Sequence, residues 1–336
     1  MVSIYDIAKE TGVTATTVSR VLNHKCASTQ TRVKVLQAVE KLGYIPNARA
    51  SSLKSKTINS IAVIVPDIAN PIYPVAVKAI HDVAKERGYY LILGNTYGRA
   101  DEERVTLEMM ARERVAGLIM GTSEAEVEDD DSCFTFLKDM INTGVHLVFS
   151  GRETRGLPID VITVDNVKGT HKATSYLLRI GRKRVAFLAG ASGLYATENR
   201  FLGYKQALSE KGLQLDGELL SFDEWSRASG QKQMQELLNK AKPPDAVVCG
   251  NDLLAIGAME AIENAGLAVP DDVAIAGFDN IELASLVRPR LTTVHQPQER
   301  IGGLACNLLL DRIEGKETGE PKEILIEPEL VIRESA

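Results

Sequence analysis

Eight short apolar runs between residues 60 and 279 constrain the fold of this chain more than any other feature. Most of them are followed by a stretch of helical periodicity. Runs that are apolar throughout and alternate with helices are typical of parallel β-sheets covered on both faces. Since the pattern extends over about 280 residues, we predict two α/β halves rather than one sheet. The runs are residues 60–66, 90–95, 116–121, 146–151, 161–166, 185–190, 246–251 and 273–279.

The first 57 residues instead carry the signals of three short helices. Ser3 is suited to cap the first helix, and Gly12 is suited to the left-handed turn that ends it. Thr14 then caps a second helix, and Ser28 caps a third that runs to about Leu42. Helix, glycine turn, helix and supporting helix is the plan of the helix-turn-helix. We therefore predict an all-α helix-turn-helix head before the α/β core.

Charge is divided unevenly between these two parts. Residues 1–57 contain nine Lys and Arg against three Asp and Glu, whereas the whole chain has a net charge of −6. A basic head on an acidic body is typical of a protein that binds a polyanion through the head. The alternative is a solvated basic surface without a partner.

The outward face of the second helix favours DNA as that polyanion. Ala15 and Thr16 are small enough to let the helix approach the major groove, and Arg20 can make a bidentate contact to guanine. Hydroxyl groups near this face can bond phosphate oxygens and fix the register of the head on DNA. These groups belong to Tyr5, Thr17 and Ser19. A small helical bundle with a polar face is the alternative.

A linker, residues 46–57, follows the head. Asn47 can cap a short helix from Ala48 to about Lys54. Two turns of helix do not persist by themselves in water, so we expect this segment to be helical only when docked against a second copy and DNA. Leu53 can then act as a wedge between base steps in the minor groove, or it can be an ordinary linker leucine.

Polar residues follow the predicted strands at the sheet edge where α/β folds bind ligands. With Arg200 and with Trp225, the single tryptophan, they could form a cleft for a polyhydroxylated ligand. Carboxylates, amides and a guanidinium can bond hydroxyl groups, and an indole can cover an apolar sugar face. Alternatively, Asn and Asp after strands simply form turns and cap helices. The strand-end residues are Asp67, Asn70, Asn95, Asp165, Asn166, Asn251, Asp252, Asp279 and Asn280.

Several other classes of protein are disfavoured. The sequence contains no nucleotide-binding glycine motif, GxSxG or HExxH, and its five histidines and four cysteines are scattered, so we expect no enzyme, cofactor or metal site. The acidic run EAEVEDDDS at 124–132 could attract a cation but is more typical of a solvated loop. The chain has no apolar run long enough to cross a membrane, and MVSIYDIAKE does not resemble a signal peptide, so we expect a cytoplasmic protein.

Several motifs together resemble the LacI/GalR family of bacterial transcription regulators. The resemblance extends from Val2 to Ser335 and implies a helix-turn-helix, a hinge helix and a core similar to periplasmic sugar-binding proteins, with two parallel-sheet subdomains. It also implies a homodimer on a palindromic operator, with a small-molecule effector bound between the core subdomains. The motifs are SIYDIAKETGVTATTVSRVLNH, TRVKVLQAVEKLGYIPNARASSL, IANPIY, GNDLLAIGAMEAI, VAIAGFDN and ELVIRES.

The resemblance also implies roles for individual residues. Ala15, Thr16 and Arg20 correspond to base-reading positions, and Leu53 corresponds to the minor-groove wedge. The expected DNA-contacting set is completed by Asn23, Ser28 and Ala50. The residues that correspond to the effector cleft are Tyr73, Arg200, Trp225, Asn251 and Asp279.

The resemblance also sets the expected domain boundaries. The expected domains are residues 1–45 for the helix-turn-helix, 46–57 for the hinge and 58–336 for the effector-binding and dimerisation core. The expected N-subdomain is about 58–163 with 294–322, and the expected C-subdomain is about 164–293 with 323–336. Because the chain ends at IRESA, without a heptad tail of the kind that makes tetramers, we expect a dimer.

The sequence as a whole predicts a DNA-binding repressor whose operator affinity is controlled by a small molecule, either a sugar or a sugar phosphate. A family member that responds to a purine or to a protein co-repressor stays open, and the basic head disfavours a sugar-binding protein without a regulatory role. Ser51 in the hinge and Cys26 before the third helix depart from the family pattern, which leaves the operator sequence open. The sequence does not indicate whether the effector induces or co-represses.

Overall fold

The computed structural model of the protein describes residues 2–22, 27–44, 59–121 and 132–336. The chain divides into two compact units, residues 1–58 and residues 59–336. Several sequence-based expectations lie outside the described residues. These are the hinge helix, most of the acidic run, and the DNA contacts of Asn23, Ala50 and Leu53.

The first unit contains the three predicted helices. Ser3 and Asp6 form a reciprocal capping box at the first helix, in which Ser3 N donates to Asp6 Oδ2 at 2.8 Å. Gly12 ends that helix with a φ of 70°, and Ser28 caps the third by accepting from Thr31 N at 3.2 Å. The capping signals in the sequence therefore coincide with the helix ends. The helices are α1 (Ile4–Thr11), α2 (Ala15–Leu22) and α3 (Thr29–Leu42).

A small apolar core holds these helices together. Ile7 from α1, Val18 and Val21 from α2, and Val35 and Ala38 from α3 are all buried. Each helix contributes one apolar stripe at helical spacing. Burying that stripe leaves the opposite face of α2 towards solvent.

The second unit consists of two halves, each built on a six-stranded sheet. The strands of the first half are β1 (Ser60–Val65), β2 (Tyr90–Asn95), β3 (Gly117–Met120), β4 (His146–Phe149), β5 (Asp160–Val164) and β11 (Glu323–Ile326). They pair in parallel in the order β11-β5-β4-β3-β1-β2. The helices of this half are α4 (Ile72–Glu86), α5 (Ala100–Glu113), α6 (Ser132–Asn142) and α12 (Gln298–Ile313).

The second half repeats this plan. Its strands are β6 (Val185–Gly190), β7 (Leu220–Asp223), β8 (Ala246–Cys249), β9 (Ala274–Asp279), β10 (Thr292–His295) and β12 (Glu329–Val331). Their order is β12-β10-β9-β8-β6-β7, and only β12 pairs antiparallel. Its helices are α7 (Asn166–Arg179), α8 (Tyr195–Glu210), α9 (Arg227–Leu238), α10 (Asp252–Asn264) and α11 (Glu282–Leu286).

All eight predicted apolar runs form strands, which confirms the predicted pair of α/β halves. Most of these strands are buried almost throughout because helices cover both faces of the sheets. Four strands, β7, β10, β11 and β12, were not predicted. Each is three or four residues long and contains polar side chains, so it lacks the continuous apolar signal.

The expected subdomain boundary near residue 322 is wrong. We expected residues 323–336 in the C-subdomain, but β11 pairs in parallel with β5, with Glu323 opposite Val161. Only β12 joins the second sheet, with Val331 opposite Thr293. β11 covers the edge of β5, whose backbone groups would otherwise be unpaired. The chain therefore passes between the halves three times, after β5, β10 and β11.

Candidate functional site

The outward face of α2 is the candidate DNA-contacting surface of the head. Thr16 and Arg20, one helical turn apart, are both exposed, and Ala15 beside them is half-buried. Val18 and Val21 point the other way, into the core of the head. The three residues predicted to read bases therefore lie on or next to one accessible face.

The other described residues predicted to contact DNA differ in their exposure and in their hydrogen bonds within the head. Tyr5 on α1 is 68% exposed, and Ser19 on α2 is half-buried. Thr17 Oγ1 lies 2.9 Å from Thr14 Oγ1 at the start of α2. Ser28 Oγ caps α3, so it also has a structural role within the head.

The core contains a cavity of about 470 Å³ between its two halves. This volume falls within the range typical of small-molecule pockets, roughly 300–1,000 Å³. Residues at the carboxyl ends of strands from both sheets line the cavity, which is the edge where α/β folds bind ligands. All five predicted effector residues are among them: Tyr73, Arg200, Trp225, Asn251 and Asp279.

Arg200, on α8, is held in the cavity wall by contacts on several sides. Its Nε donates to Asn166 Oδ1 at 2.8 Å, and its Nη1 donates to the carbonyl oxygen of Gly250. The guanidinium carbon lies 3.9 Å from the ring centre of Phe278, a cation–π contact. Burial lowers the pKa of Arg200, and the nearby Asp279 carboxylate opposes that shift. The five N–H donors of a guanidinium allow it to donate to a ligand as well.

A close contact between two helices sets the position of Arg200. Gly203, three residues further along α8, lies against the carbonyl oxygen of Val167 at the start of α7. A Cβ at position 203 would come within 2.1 Å of that oxygen. Glycine therefore lets α8 approach α7 closely enough for Arg200 to reach Asn166.

Asp279, the last residue of β9, lies in the cavity wall at a turn with unusual backbone angles. Asp279 and Asn280 have φ values of 116° and 58°, which are unfavourable for residues other than glycine. Gln296 Nε2 donates to Asp279 Oδ1 at 2.6 Å. Burial raises the pKa of Asp279 to about 6, although the Arg200 charge and the Gln296 hydrogen bond act in the opposite direction.

Two further charged residues hold this turn. Asp252 Oδ2 accepts from Ile281 N at 2.8 Å, and its Oδ1 accepts from Thr293 Oγ1 at 2.5 Å. Arg333 Nη2 donates to Asn280 Oδ1 at 2.7 Å. Burial, together with the neighbouring carboxylate of the turn, raises the pKa of Asp252 well above its ordinary range. These contacts keep a strained segment in one conformation.

Trp225 rests on the backbone of two glycines at strand ends. A Cβ at Gly190 would lie 2.2 Å from the indole, and a Cβ at Gly250 would lie 2.7 Å from it. The guanidinium carbon of Arg200 is 5.5 Å from the ring centre. The ring therefore has a defined place in the cavity wall, where an apolar ligand face can pack against it.

Several strand-end residues form the caps and turns that the alternative interpretation expected. Asn251 Oδ1 accepts from Leu254 N at 2.8 Å and caps α10, and Asp165 Oδ1 caps α7 at 2.9 Å. Asn95 Oδ1 accepts a backbone N–H from the loop after β1 at 2.7 Å. Asn251 both caps a helix and lines the cavity, whereas Tyr73 lines it from the first turn of α4.

Two residues that position the charged groups were outside the predicted contact set. Asn166 holds Arg200, and Gln296 holds Asp279. Asn166 carried the strand-end signal without a defined role. Gln296 follows β10, whose sequence TTVH has too few apolar residues to predict a strand.

The described residues support neither a metal site nor a membrane span. In the four described ranges, no group of three or more His, Cys, Asp or Glu side chains could hold a metal ion. No helix within those ranges has both the length and the apolar composition to cross a bilayer. The three described cysteines, Cys133, Cys249 and Cys306, are buried thiols.

Comparison with known proteins matches both parts of the chain. Residues 3–47 match the family model of bacterial regulatory proteins, lacI family. Residues 174–336 match the model of a periplasmic binding protein-like domain.

Similarity to individual proteins extends over nearly the whole chain. The HTH-type transcriptional repressor PurR of Erwinia tasmaniensis is 35% identical over 336 residues, which cover 100% of this chain and 97% of the relative. The solved complex of the transcriptional regulator CelR with cellobiose is 30% identical, with a TM-score of 0.75 and full coverage of both chains. The Lac repressor dimer bound to operator and the anti-inducer ONPF is 28% identical, with a TM-score of 0.86 and coverage of 99% of this chain and 98% of that one.

Proposed function

Because the chain belongs to the LacI family of bacterial regulatory proteins and is a DNA-binding transcriptional repressor, we propose that a sugar bound between the halves of its core controls its affinity for operator DNA. One observation carries the proposal: Arg200, Asp279 and Trp225 line the same cavity. A guanidinium and a carboxylate can bond adjacent hydroxyl groups, and the indole can cover the apolar face of the ring. The proposal includes no cofactor besides this effector, and the protein is a regulator rather than an enzyme.

The cavity offers ligand contacts from both halves of the core, which supports a coupling mechanism. Asp67, Asn70 and Tyr73 line it from the first half, and Arg200 and Asp279 line it from the second. A ligand bonded to both halves favours the arrangement in which they close around it. Closure changes the surface that the core presents to a second copy, and the hinges and heads then lose their shared register on DNA.

Coupling of this kind is reciprocal. If the effector weakens operator binding by a given factor, the operator weakens effector binding by the same factor. A co-repressing effector would instead strengthen both. The sign of the response is therefore one outcome of the experiment below.

Exposed apolar groups support a homodimer. β2 is the edge strand of the first sheet and exposes Tyr90 and Leu93, and α11 in the second half exposes Leu283 and Leu286. Exposed apolar side chains and an unpaired sheet edge are typical of surfaces that bind a partner. We propose that two copies pair symmetrically and bind a palindromic operator, with one head on each half-site. Acting on DNA would place the protein in the cytoplasm, with the nucleoid.

A purine is the second candidate effector, because a repressor named PurR is 35% identical to this chain. A flat purine could stack on Trp225 and bond Asn251 or Asp279 through its ring edge. A sugar makes fuller use of the site, because its adjacent hydroxyl groups can bond both Arg200 and Asp279.

The test begins with an operator selected from random DNA by the full-length protein. Fluorescence anisotropy of that operator is then measured against a panel of neutral sugars, sugar phosphates and purines. We expect one sugar to change operator affinity by roughly 5- to 150-fold. Asp279→Asn should retain operator binding and require a higher concentration of that sugar for the same response. A response to a purine and to no sugar would instead select the second candidate, and a response to no small molecule would point to a protein co-repressor.

A further inference from the structure

The charged side chains around the cavity limit the charge of its ligand. Among the described residues that line it, carboxylates outnumber guanidinium groups by four to two, and no lysine or histidine is present. Lys232, outside the lining, bonds Asp223 Oδ2 at 3.1 Å, and with this cation counted the carboxylates still outnumber the cations by four to three before any ligand enters. The charged groups are Asp67, Asp223, Glu224, Asp279, Arg99 and Arg200.

Both guanidinium groups already have carboxylate neighbours. Arg99 Nε donates to Asp101 Oδ1 at 3.0 Å. Arg200 Nη1 lies 3.8 Å from Asp279 Oδ1. An anionic ligand would have to compete with these carboxylates for positive charge, whereas a neutral hydroxyl can bond both members of a pair.

Most helix N-termini at the cavity, the other common sites for phosphate, are already occupied by the protein's own side chains. Four helices that begin at the cavity, α4, α7, α9 and α10, have side chains bonded to backbone N–H groups in their first turn. α8 has no side-chain cap, but its first turn carries the acidic residue Glu198, whose Oε1 accepts from Gly193 N at 2.8 Å just before the helix. The side chains that accept from the first turns of α4, α7, α9 and α10 are those of Asn70, Asp165, Ser226 and Asn251, in that order.

Two more helices that begin at the cavity, and the loop after β1, are also unfavourable places for a phosphate. α5 and α12, which also begin at the cavity, carry acidic residues in their first turns. In the loop after β1, Ile68 N donates to Asn95 Oδ1 at 2.7 Å, and Ala69 N donates to Asp67 Oδ1 at 2.9 Å. These backbone groups, which could otherwise cradle a phosphate, already bond oxygen atoms of the protein.

We propose that the effector is an uncharged sugar and that the cavity discriminates against the phosphate ester of the same sugar. This inference rests on the proposed function and narrows it to one of its two ligand classes. Moving a phosphate into this wall removes its hydration without supplying an uncommitted cation, and the three cavity helices without side-chain caps, α5, α8 and α12, carry acidic residues in their first turns. A neutral sugar loses only hydroxyl hydration, which the amides and carboxylates replace.

The test compares each sugar with its own phosphate on the full-length protein bound to operator. The pairs are ribose and ribose 5-phosphate, glucose and glucose 6-phosphate, and galactose and galactose 6-phosphate, with cellobiose as an additional neutral probe. Operator anisotropy and Trp225 fluorescence are both recorded. For any pair that responds, we expect the neutral sugar to bind at least about tenfold more tightly, because like charges in an enclosed site repel strongly.

Variants test the electrostatic cause. Glu224→Gln removes one exposed negative charge from the wall and should reduce the difference in affinity between a neutral sugar and its phosphate several-fold. Glu218→Gln, an exposed residue before β7 that does not line the cavity, is the matched control and should leave that difference unchanged. A phosphate that binds as tightly as its neutral sugar, or an unchanged difference in Glu224→Gln, overturns this inference while leaving the sugar proposal intact. A panel in which neither class changes fluorescence or operator affinity contradicts the proposed function itself.

Discussion

Arg200 and Asp279 face each other in the cavity wall with 3.8 Å between Nη1 and Oδ1, and their side chains are only 8% and 6% exposed. The distance is too long for a direct hydrogen bond. Each group is held independently, Arg200 by Asn166 and Asp279 by Gln296. A ligand hydroxyl between them could donate to the carboxylate and accept from the guanidinium. The pair is therefore positioned before a ligand arrives.

Effector affinity should rise between about pH 5 and about pH 7. Burial raises the pKa of Asp279 to about 6, so its carboxyl becomes a charged acceptor over this range. Calorimetric titration at several pH values measures the effect, and Asp279→Asn should flatten the profile. If the profile keeps its slope in that variant, another group is responsible.

The raised pKa of Asp279 also affects the stability of the core, which should fall with rising pH where effector affinity rises. Because the folded pKa lies above the ordinary value of 3.8, the protonated carboxyl stabilises the fold at low pH. This contribution is lost as the pH rises from 3.8 to about 6. Urea unfolding of wild type and Asp279→Asn without ligand measures it, and Asp279→Asn should lack this component of the pH dependence.

Arg20→Ala should weaken binding to the selected operator by about 1–3 kcal/mol while leaving binding to random DNA largely intact. The reason is that Arg20 is exposed on the outward face of α2 and can bond a guanine edge. Anisotropy on both DNAs gives the comparison. Equal losses on the two would show that Arg20 contacts phosphate.

Gly203→Ala should reduce both core stability and effector affinity. Its Cβ would meet the Val167 carbonyl at 2.1 Å and push α8 away from α7, which carries Arg200 away from Asn166. Overpacking of this kind costs about 1–3 kcal/mol in unfolding free energy. Ser209→Ala, at an exposed position of the same helix, is the control and should change neither quantity. Full effector affinity in Gly203→Ala would mean that Arg200 does not depend on this contact.

Arg152→Ala should destabilise the first half of the core by about 3–5 kcal/mol. Arg152 forms two 2.8 Å hydrogen bonds with Glu103, and both side chains are fully buried, at 0% and 1% exposure. Removing the cation leaves an uncompensated buried carboxylate. Denaturant unfolding measures the loss, and Lys78→Ala, which breaks an exposed pair with Asp82, should have little effect. Similar losses in the two variants would contradict this explanation.

The sequence predicted the elements whose signals are local. Ser3, Gly12 and Ser28 mark helix ends because capping depends on neighbouring residues. The eight apolar runs predict strands because burial on both sheet faces requires continuous apolar side chains. The sequence did not predict that β11 pairs with β5 in the first sheet. Tertiary contacts decide which strand it pairs with, and the four residues EILI do not encode them.

The sequence predicted residues that line the cavity but not how their side chains and backbone are arranged. Arg200, Trp225 and Asp279 were expected together, and all three line the cavity. The strained turn at Asp279 depends on Asp252, which is 27 residues away, and on partners from other elements. Gln296 follows a strand too short to predict. Contacts distant in sequence therefore account for most of what was missed.

The most direct test of the central claim uses the single tryptophan, Trp225, as a reporter in the cavity. The compound that changes operator affinity is titrated into wild type, Arg200→Ala and Asp279→Asn while fluorescence and operator anisotropy are followed together. A sugar bound in the cavity should change wild-type fluorescence saturably, at the concentration that changes DNA binding. Both variants should bind the ligand more weakly, by about 1.5–3 kcal/mol in binding free energy. Both should bind operator normally when no ligand is present. If DNA binding responds while the fluorescence stays constant and both variants bind the compound with wild-type affinity, the effector site lies outside this cavity.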